Sequence, residues 1–221
     1  SNVSHELKTP ITSIRVLADS LMSMEEAPIE LYREFLSDIS DEIDRESTII
    51  EDLLTLVRLD KSNMELKVGQ VSINEMLEMV LKRLRPLAQK RNIELVLESF
   101  RPVVAEIDEV KLALAVTNLV ENAIKYNVDD GWVRVSLNAD HNFFYVKVQD
   151  SGLGIPEEAQ SKVFERFYRV DKARSRETGG TGLGLAITYS VIQLHHGAIK
   201  LYSKEGEGST FTVRIPLIYI A

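Results

Sequence analysis

Apolar residues in the first sixty positions recur at steps of three and four. Val3, Leu7, Ile11, Ile14, Leu17, Leu21 and Met24 form one series; Leu31, Phe35, Ile39, Ile43, Ile50, Leu53 and Val57 form a second. Such spacing puts each set on one helix face. The pattern therefore predicts a helix over residues 2–24, an interruption from Glu25 to Pro28, and a second long helix ending near Asp60. Two helices joined by a short turn make a helical hairpin. A lone pair buries little surface, so each stripe needs a further partner, and a second copy of the chain would complete a four-helix bundle.

After Asp60 the periodicity changes. Met64 to Val71 reads as a strand, and Ser72-Ile-Asn-Glu75 is a capping box that opens a helix to about Arg91. Strands follow around Ile93–Glu98 and Val103–Ile107, with Asp108 as the N-cap of a helix reaching Tyr126. Trp132–Leu137 and Phe143–Gln149 alternate as strands do. The stretch from Ser151 to Thr181 is charged and glycine-flanked, with a short helix expected near Glu157–Phe164. So long a loop in a compact domain signals a purpose. A helix from about Leu183 to His195 should end at Gly197, and a hairpin of Ala198–Ser203 and Ser209–Ile215 should turn through Gly206-Glu207-Gly208. Two domains are expected, a helical one over residues 1–62 and an α/β one over residues 63–221.

Composition narrows the function classes. At 221 residues and 44% hydrophobic content the chain can fill ordinary cores. No apolar run approaches the roughly 18 residues of a membrane span, so a cytoplasmic chain without membrane contact of its own is expected. The lack of cysteine excludes disulfides, thiolate zinc sites and cysteine nucleophiles. The net charge of −8 arises entirely in residues 1–63, which hold 6 Lys/Arg against 14 Asp/Glu, leaving 20 against 20 elsewhere. An acidic helical segment repels phosphate backbones, which argues against general nucleic-acid binding.

Five stretches carry candidate chemistry. In His5-Glu-Leu-Lys-Thr-Pro10 the imidazole is neutral near pH 7 and nucleophilic enough to attack a γ-phosphorus. Thr9 lies one turn after His5 on the same face, and Pro10 removes a helical bond to the Glu6 carbonyl, which should bend the helix. In Asn118-Leu-Val-Glu-Asn-Ala-Ile-Lys-Tyr126 the residues Asn118, Asn122 and Lys125 share one face. An amide oxygen there, with phosphate oxygens and waters, suits Mg²⁺. In Asp150-Ser-Gly-Leu-Gly-Ile-Pro156 the carboxylate can accept the exocyclic amino hydrogen of adenine, discriminating ATP from GTP, while Gly152 and Gly154 allow close approach to the base. Phe164-Glu-Arg-Phe-Tyr168 offers Phe164 and Phe167 to pin the base of a lid whose charge comes from Arg166, Arg169, Lys172, Arg174 and Arg176. In Gly179-Gly-Thr-Gly-Leu-Gly184 the residues Gly180, Gly182 and Gly184 open a helix whose unsatisfied N–H groups attract a triphosphate. This is neither a Walker A loop nor a dinucleotide fingerprint. His195 and His196 precede a helix-ending glycine and have no third ligand, so they read as structural.

Taken in this order, the five stretches resemble the boxes of the sensor histidine kinase family. That resemblance implies a dimerisation and histidine-phosphotransfer hairpin in a dimeric four-helix bundle. An α/β sandwich of the histidine kinase, Hsp90 and topoisomerase ATP-binding superfamily would follow. It further implies autophosphorylation of His5 from ATP and Mg²⁺, transfer to an aspartate on the receiver domain of a cognate response regulator, and an upstream sensor or membrane region in the full protein. By resemblance Glu6 accepts the other ring N–H of His5, and Thr9 orients a water for dephosphorylating the regulator. Asn122 ligates Mg²⁺, Lys125 contacts phosphate, and Asn118, Tyr126 and Leu183 belong to the nucleotide site. Asn127 departs from the family pattern, where Ser or Thr is more usual. Two rival readings stay open at this point. A clamp ATPase of the same superfamily explains all boxes but the first, and a nucleotide-holding scaffold requires no reaction.

Overall fold

The computed structural model describes residues 2–24, 28–60, 65–171 and 180–219. Helices α1 (Asn2–Met22) and α2 (Ile29–Leu59) pack on each other as the hairpin. Pro28 precedes α2 at φ −57, a value its ring presets for a helix start, and the Tyr32 hydroxyl donates to Met24 O at 3.0 Å across the connection. The α1 helix runs through Pro10. On α2, Ile29, Leu36, Ile43, Ile50 and Val57 are all about half exposed or more, and they recur every seventh residue. That is the seam of a coiled coil lacking its partner within one chain. A different face of the same helix buries Ile49, Leu56 and Leu59 against the second unit.

That second unit is a two-layer sandwich. Its sheet has the order β2 (Glu94–Ser99), β4 (Trp132–Ala139), β5 (Phe143–Asp150), β7 (Gly208–Pro216), β6 (Ala198–Lys204). The β2–β4 pair is parallel and the other pairs are antiparallel. Helices α3 (Ile73–Gln89), α4 (Glu109–Lys125) and α6 (Gly184–Leu194) pack against the sheet and one another. Alternation along β4 buries Val133, Val135 and Leu137 under these helices, beside Phe144, Val146 and Val148 of β5. Among the described residues the remaining helix, α5 (Glu157–Gln160), is a single turn.

Local rules account for most boundaries. Ser72 Oγ accepts the Glu75 N–H at 3.4 Å, and Asp108 Oδ1 accepts the Lys111 N–H at 3.1 Å, so both expected N-caps stand where their helices start. The strand expected from Met64 to Val71 is instead the short β1 (Gly69–Ser72), paired with β3 (Val104–Ile107). Its ladder stops because Asp108 leaves the strand to cap α4 and its other carboxylate oxygen takes the Lys67 N–H at 2.9 Å. Residue 64 lies outside the described residues, as does the boundary expected at 62/63. The helix expected over Glu157–Phe164 ends at Gln160, whose side-chain amide donates to Ile155 O and Ser203 O, both at 2.9 Å.

The end of α6 departs from expectation in a different way. His196, not Gly197, takes the left-handed conformation (φ 53). Gly197 is demanded by contact, since a Cβ there would lie 2.6 Å from Arg214 O. His195 is buried; its Nδ1 faces Val191 O at 2.8 Å, and its Nε2 accepts the Asp108 N–H at 3.0 Å. Accepting at Nε2 requires the neutral ring, and burial accordingly lowers its pKa. This histidine ties the end of α6 to the start of α4.

Candidate active site

A cleft of about 580 Å³ opens between α4, the turn after β5, the β6–β7 turn, the start of α6 and α2. The end of β5 delivers Asp150 to its lining. Oδ1 of this carboxylate accepts the Gly152 N–H at 2.8 Å and the Ser209 N–H at 3.2 Å. Both bonds fall on one oxygen. Burial nevertheless raises the Asp150 pKa to about 6, the two backbone donors only partly opposing the desolvation. Gly154 follows at φ +68, where a Cβ would lie 2.0 Å from Lys204 O, so only glycine lets this loop lie against the β6–β7 turn.

Helix α4 supplies the side wall. Asn118, Asn122, Lys125 and Tyr126 all line the cleft, as their shared face requires. Asn118 also has a second task, because its Nδ2 donates to Gly184 O at 3.0 Å and fixes the first residue of α6. Lys125 Nζ lies 3.3 Å from Glu121 Oε2. Adjoining this wall, Gly180, Gly182 and Gly184 form the glycine rim, and Leu183 stands at the N-cap of α6 with no side-chain cap. Uncapped N–H groups at a helix start favour an anion.

Four expected site residues stand behind the wall. Gly152, Phe164, Phe167 and Leu183 are absent from the lining. Phe164 packs edge-on to Phe211 at 6.3 Å between ring centroids, while Phe167 and Leu183 are buried in the apolar cluster that joins α6 to α2. Phe167 also donates its N–H to Gly182 O at 2.8 Å, which ties the phenylalanine box to the glycine rim. Arg166 pairs with Asp60 and Arg169 lines the cleft, whereas Lys172, Arg174 and Arg176 lie outside the described residues.

The expected phospho-acceptor lies elsewhere. The backbone at His5 and Glu6 belongs to α1, but their side chains lie outside the described residues. Thr9 is half-buried and borders a shallow groove with Lys8, Thr12 and Ser13.

Sequence reasoning missed several contributors. Ser209 and Phe211 line the cleft, yet the Gly206–Gly208 region was legible only as a hairpin turn. Arg91 caps the end of α4, donating to Ile124 O at 2.8 Å, Lys125 O at 2.9 Å and Asn127 O at 2.8 Å. A guanidinium on the last carbonyls of a helix is favourable and holds Lys125 and Tyr126 in place. Asn127 is buried; its Nδ2 donates to Ala123 O and Trp132 O at 3.0 Å, and its Oδ1 accepts the Ser151 hydroxyl at 3.1 Å. A longer amide thus joins α4 to the turn that carries Asp150.

The donor set fits a magnesium nucleotide. Among the described residues no group of three or more His, Cys, Asp or Glu could hold a metal, so an ion would have to rely on phosphate oxygens, waters and a single protein ligand. Mg²⁺ tolerates that arrangement, and Asn122 lines the cleft with an amide oxygen of the required kind. No helix among the described residues is long and apolar enough to cross a membrane.

Residues 1–62 match the family model of the His Kinase A (phospho-acceptor) domain. Residues 107–218 match that of the histidine kinase-, DNA gyrase B-, and HSP90-like ATPase, a family that binds ATP. The chain is 35% identical to the sensor histidine kinase WalK of Bacillus subtilis over 219 residues, covering 98% of this chain and 36% of that protein. It is 38% identical to the sensor-like histidine kinase SenX3 of Mycolicibacterium smegmatis over 216 residues, covering 98% of this chain and 56% of that one. It thus spans between about a third and somewhat over half of these relatives. Among solved structures, the histidine kinase ThkA in complex with the response regulator protein TrrA superposes with a TM-score of 0.80 at 25% identity, covering 98% of this chain and 60% of that one. A phospho-acceptor hairpin followed by an ATP cleft of this build places the chain in the sensor histidine kinase family of two-component systems.

Proposed function

We propose that this chain transfers the γ-phosphoryl group of ATP to His5 and then to an aspartate on the receiver domain of a response regulator. The observation that carries this reading is a single cleft joining a half-buried carboxylate, Asp150, to an uncapped helix start at Gly184, in a chain whose first 62 residues match a phospho-acceptor domain. ATP supplies the phosphoryl group, and Mg²⁺ on its phosphates spreads the developing charge. Asp150 accepts the adenine amino hydrogen through the oxygen that the Gly152 and Ser209 N–H groups leave unused. Asn122 offers its amide oxygen to the metal, and Lys125 exchanges Glu121 for phosphate. Gly180, Gly182 and Gly184 let backbone N–H groups approach the phosphates. Phe164, Phe167 and Leu183 act from behind, holding the glycine rim. On α1, His5 is the nucleophile, Glu6 fixes its tautomer, and Thr9 serves the reverse hydrolysis of the regulator's phosphate. In this reading residues 1–62 form the phosphotransfer domain and residues 63–221 the catalytic one.

The working unit is a homodimer through the hairpin. Supporting this is the exposed seam of Ile29, Leu36, Ile43, Ile50 and Val57, which a second α1–α2 pair would cover. Sedimentation at micromolar concentration should give a dimer, and monomer alone would count against the bundle. Incubation with γ-labelled ATP tests the activity. Acid-labile, alkali-stable label on the protein is expected. Released phosphate without label would favour a clamp ATPase, and binding with neither would favour a scaffold.

A further inference from the structure

Besides the β6–β7 hairpin, the cleft has a second wall that none of its five sequence boxes supplies. Thr48 and Asp52 of α2 line it together with Gly180, Gly182, Asn122 and Lys125. They reach it because the catalytic unit is docked on α2: Ile49, Leu53, Leu56 and Leu59 pack against Leu183, Ala186, Ile187 and Val191. Arg166 pairs with Asp60 at 2.5 Å at the end of the same face. In the middle of the contact, Thr181 of the glycine rim donates its hydroxyl to Asp52 Oδ2 at 2.6 Å, while Thr181 Oγ1 itself accepts the Leu183 N–H at 3.2 Å. Asp52 is therefore anchored to the loop that should receive phosphate.

Its charge opposes that task. The attractive features of this end of the cleft are the uncapped start of α6, the Lys125 ammonium and the Arg169 guanidinium, whose Nε lies 3.2 Å from where a Gly182 Cβ would stand. Asp52 feels Glu51 and Glu121 as like charges and Lys125 as the opposing one, and burial raises its pKa. In that reading adenine is held at Asp150 and the phosphates at the glycine rim, beside the carboxylate that Thr181 of the rim holds, and ATP both reaches further and carries more negative charge than ADP. A like charge in a partly desolvated site is costly.

We propose that Asp52 sets the nucleotide preference of the docked chain, disfavouring ATP relative to ADP, so that triphosphate binding and docking on α2 oppose each other. The inference rests on the reading of the cleft as an ATP site. By linkage, whatever factor docking takes from ATP affinity, ATP takes from docking. Asp52 is thus a specificity-determining residue contributed by the phosphotransfer hairpin to a pocket in the other domain.

Equilibrium titration of the full chain with ATP and with ADP, each with and without Mg²⁺, tests it. Asp52→Asn keeps an oxygen for the Thr181 hydroxyl and removes the charge. It should tighten ATP binding roughly 5- to 10-fold, within the usual range of coupling between sites, and change ADP binding much less. Leu56→Ala, which weakens docking without altering charge, should shift the ATP-to-ADP ratio in the same direction, and adding it to Asp52→Asn should give little more. An unchanged ratio in both variants would overturn the proposal. So would weaker ATP binding by Asp52→Asn only when Mg²⁺ is present, because Asp52 would then be supporting the metal. Wild-type chain that binds neither nucleotide would instead sink the ATP reading itself.

Discussion

His5→Gln should leave the chain without any acid-labile, alkali-stable label after incubation with γ-labelled ATP, while nucleotide binding persists. The two outcomes separate because the parts are separate. The cleft is built from α4, α6, the turns after β5 and β6 and a strip of α2, whereas His5 belongs to α1. Glutamine keeps a polar side chain of similar reach but has no nitrogen lone pair able to attack phosphorus near neutral pH. Thr9→Ala should behave in the opposite way. Thr9 sits one turn further along α1 and contributes only a hydroxyl, so forward labelling should survive. Decay of the regulator's aspartyl phosphate should slow on the order of 10- to 100-fold, where positioning a water matters. The measurement has two arms, label on this chain and decay of label on a purified cognate regulator. Stable label on His5→Gln would disprove the assignment of the acceptor. Unchanged decay with Thr9→Ala, where the wild type accelerates it, would remove Thr9 from the phosphatase role.

Much of this architecture was legible because it follows from short-range rules. The Ser72 and Asp108 caps, the alternation of β4 and β5 and the helical spacing of Asn118, Asn122 and Lys125 each depend on residues within one or two turns. What escaped depends on distant partners. The strand over Met64–Val71 reads well locally, yet it pairs only from Gly69 because Asp108, some forty residues away, takes the Lys67 N–H. On α2 the apolar pattern serves two surfaces at once. The seven-residue series from Ile29 to Val57 is exposed, while Ile49 and Leu56 face Leu183 and Ile187 more than a hundred residues downstream. A single helical stripe cannot announce two partners. Arg91 follows the same logic: nothing near it in sequence shows that it will cap α4. In the site, spacing correctly grouped residues on α4 but could not distinguish those facing the cleft from those bracing it. Phe164, Phe167 and Leu183 support the rim from the apolar side, as large hydrophobic residues beside a glycine-rich turn would.

Asp150→Asn should weaken ATP binding severely and raise the stability of the nucleotide-free chain in one step. The wild-type carboxylate is held in a setting that favours its neutral form, with a pKa raised to about 6 chiefly by burial. A group whose folded value exceeds its unfolded one contributes most below the unfolded value, and that contribution is lost as pH rises through about 6. At pH 8 the ionised carboxylate should therefore cost the empty fold at most on the order of 3 kcal/mol, less whatever water at its partly exposed face screens, and asparagine relieves that cost. The gain should appear as a few degrees in Tm at pH 8 and shrink toward pH 4. Binding moves the other way. The Gly152 and Ser209 N–H groups both require an acceptor at the Oδ1 position, so the amide oxygen occupies it and the NH₂ group takes the position of Oδ2. There it presents a donor to the adenine amino donor, and affinity should fall on the order of 100-fold. Autophosphorylation should fall with it. Thermal denaturation at the two pH values and nucleotide titration of the same preparation decide the matter. Lost binding accompanied by a lower Tm at pH 8 would mean that Asp150 chiefly holds the β5 turn together. Lost binding with a higher Tm would mean that the fold tolerates a buried charge at this position because ATP needs the acceptor.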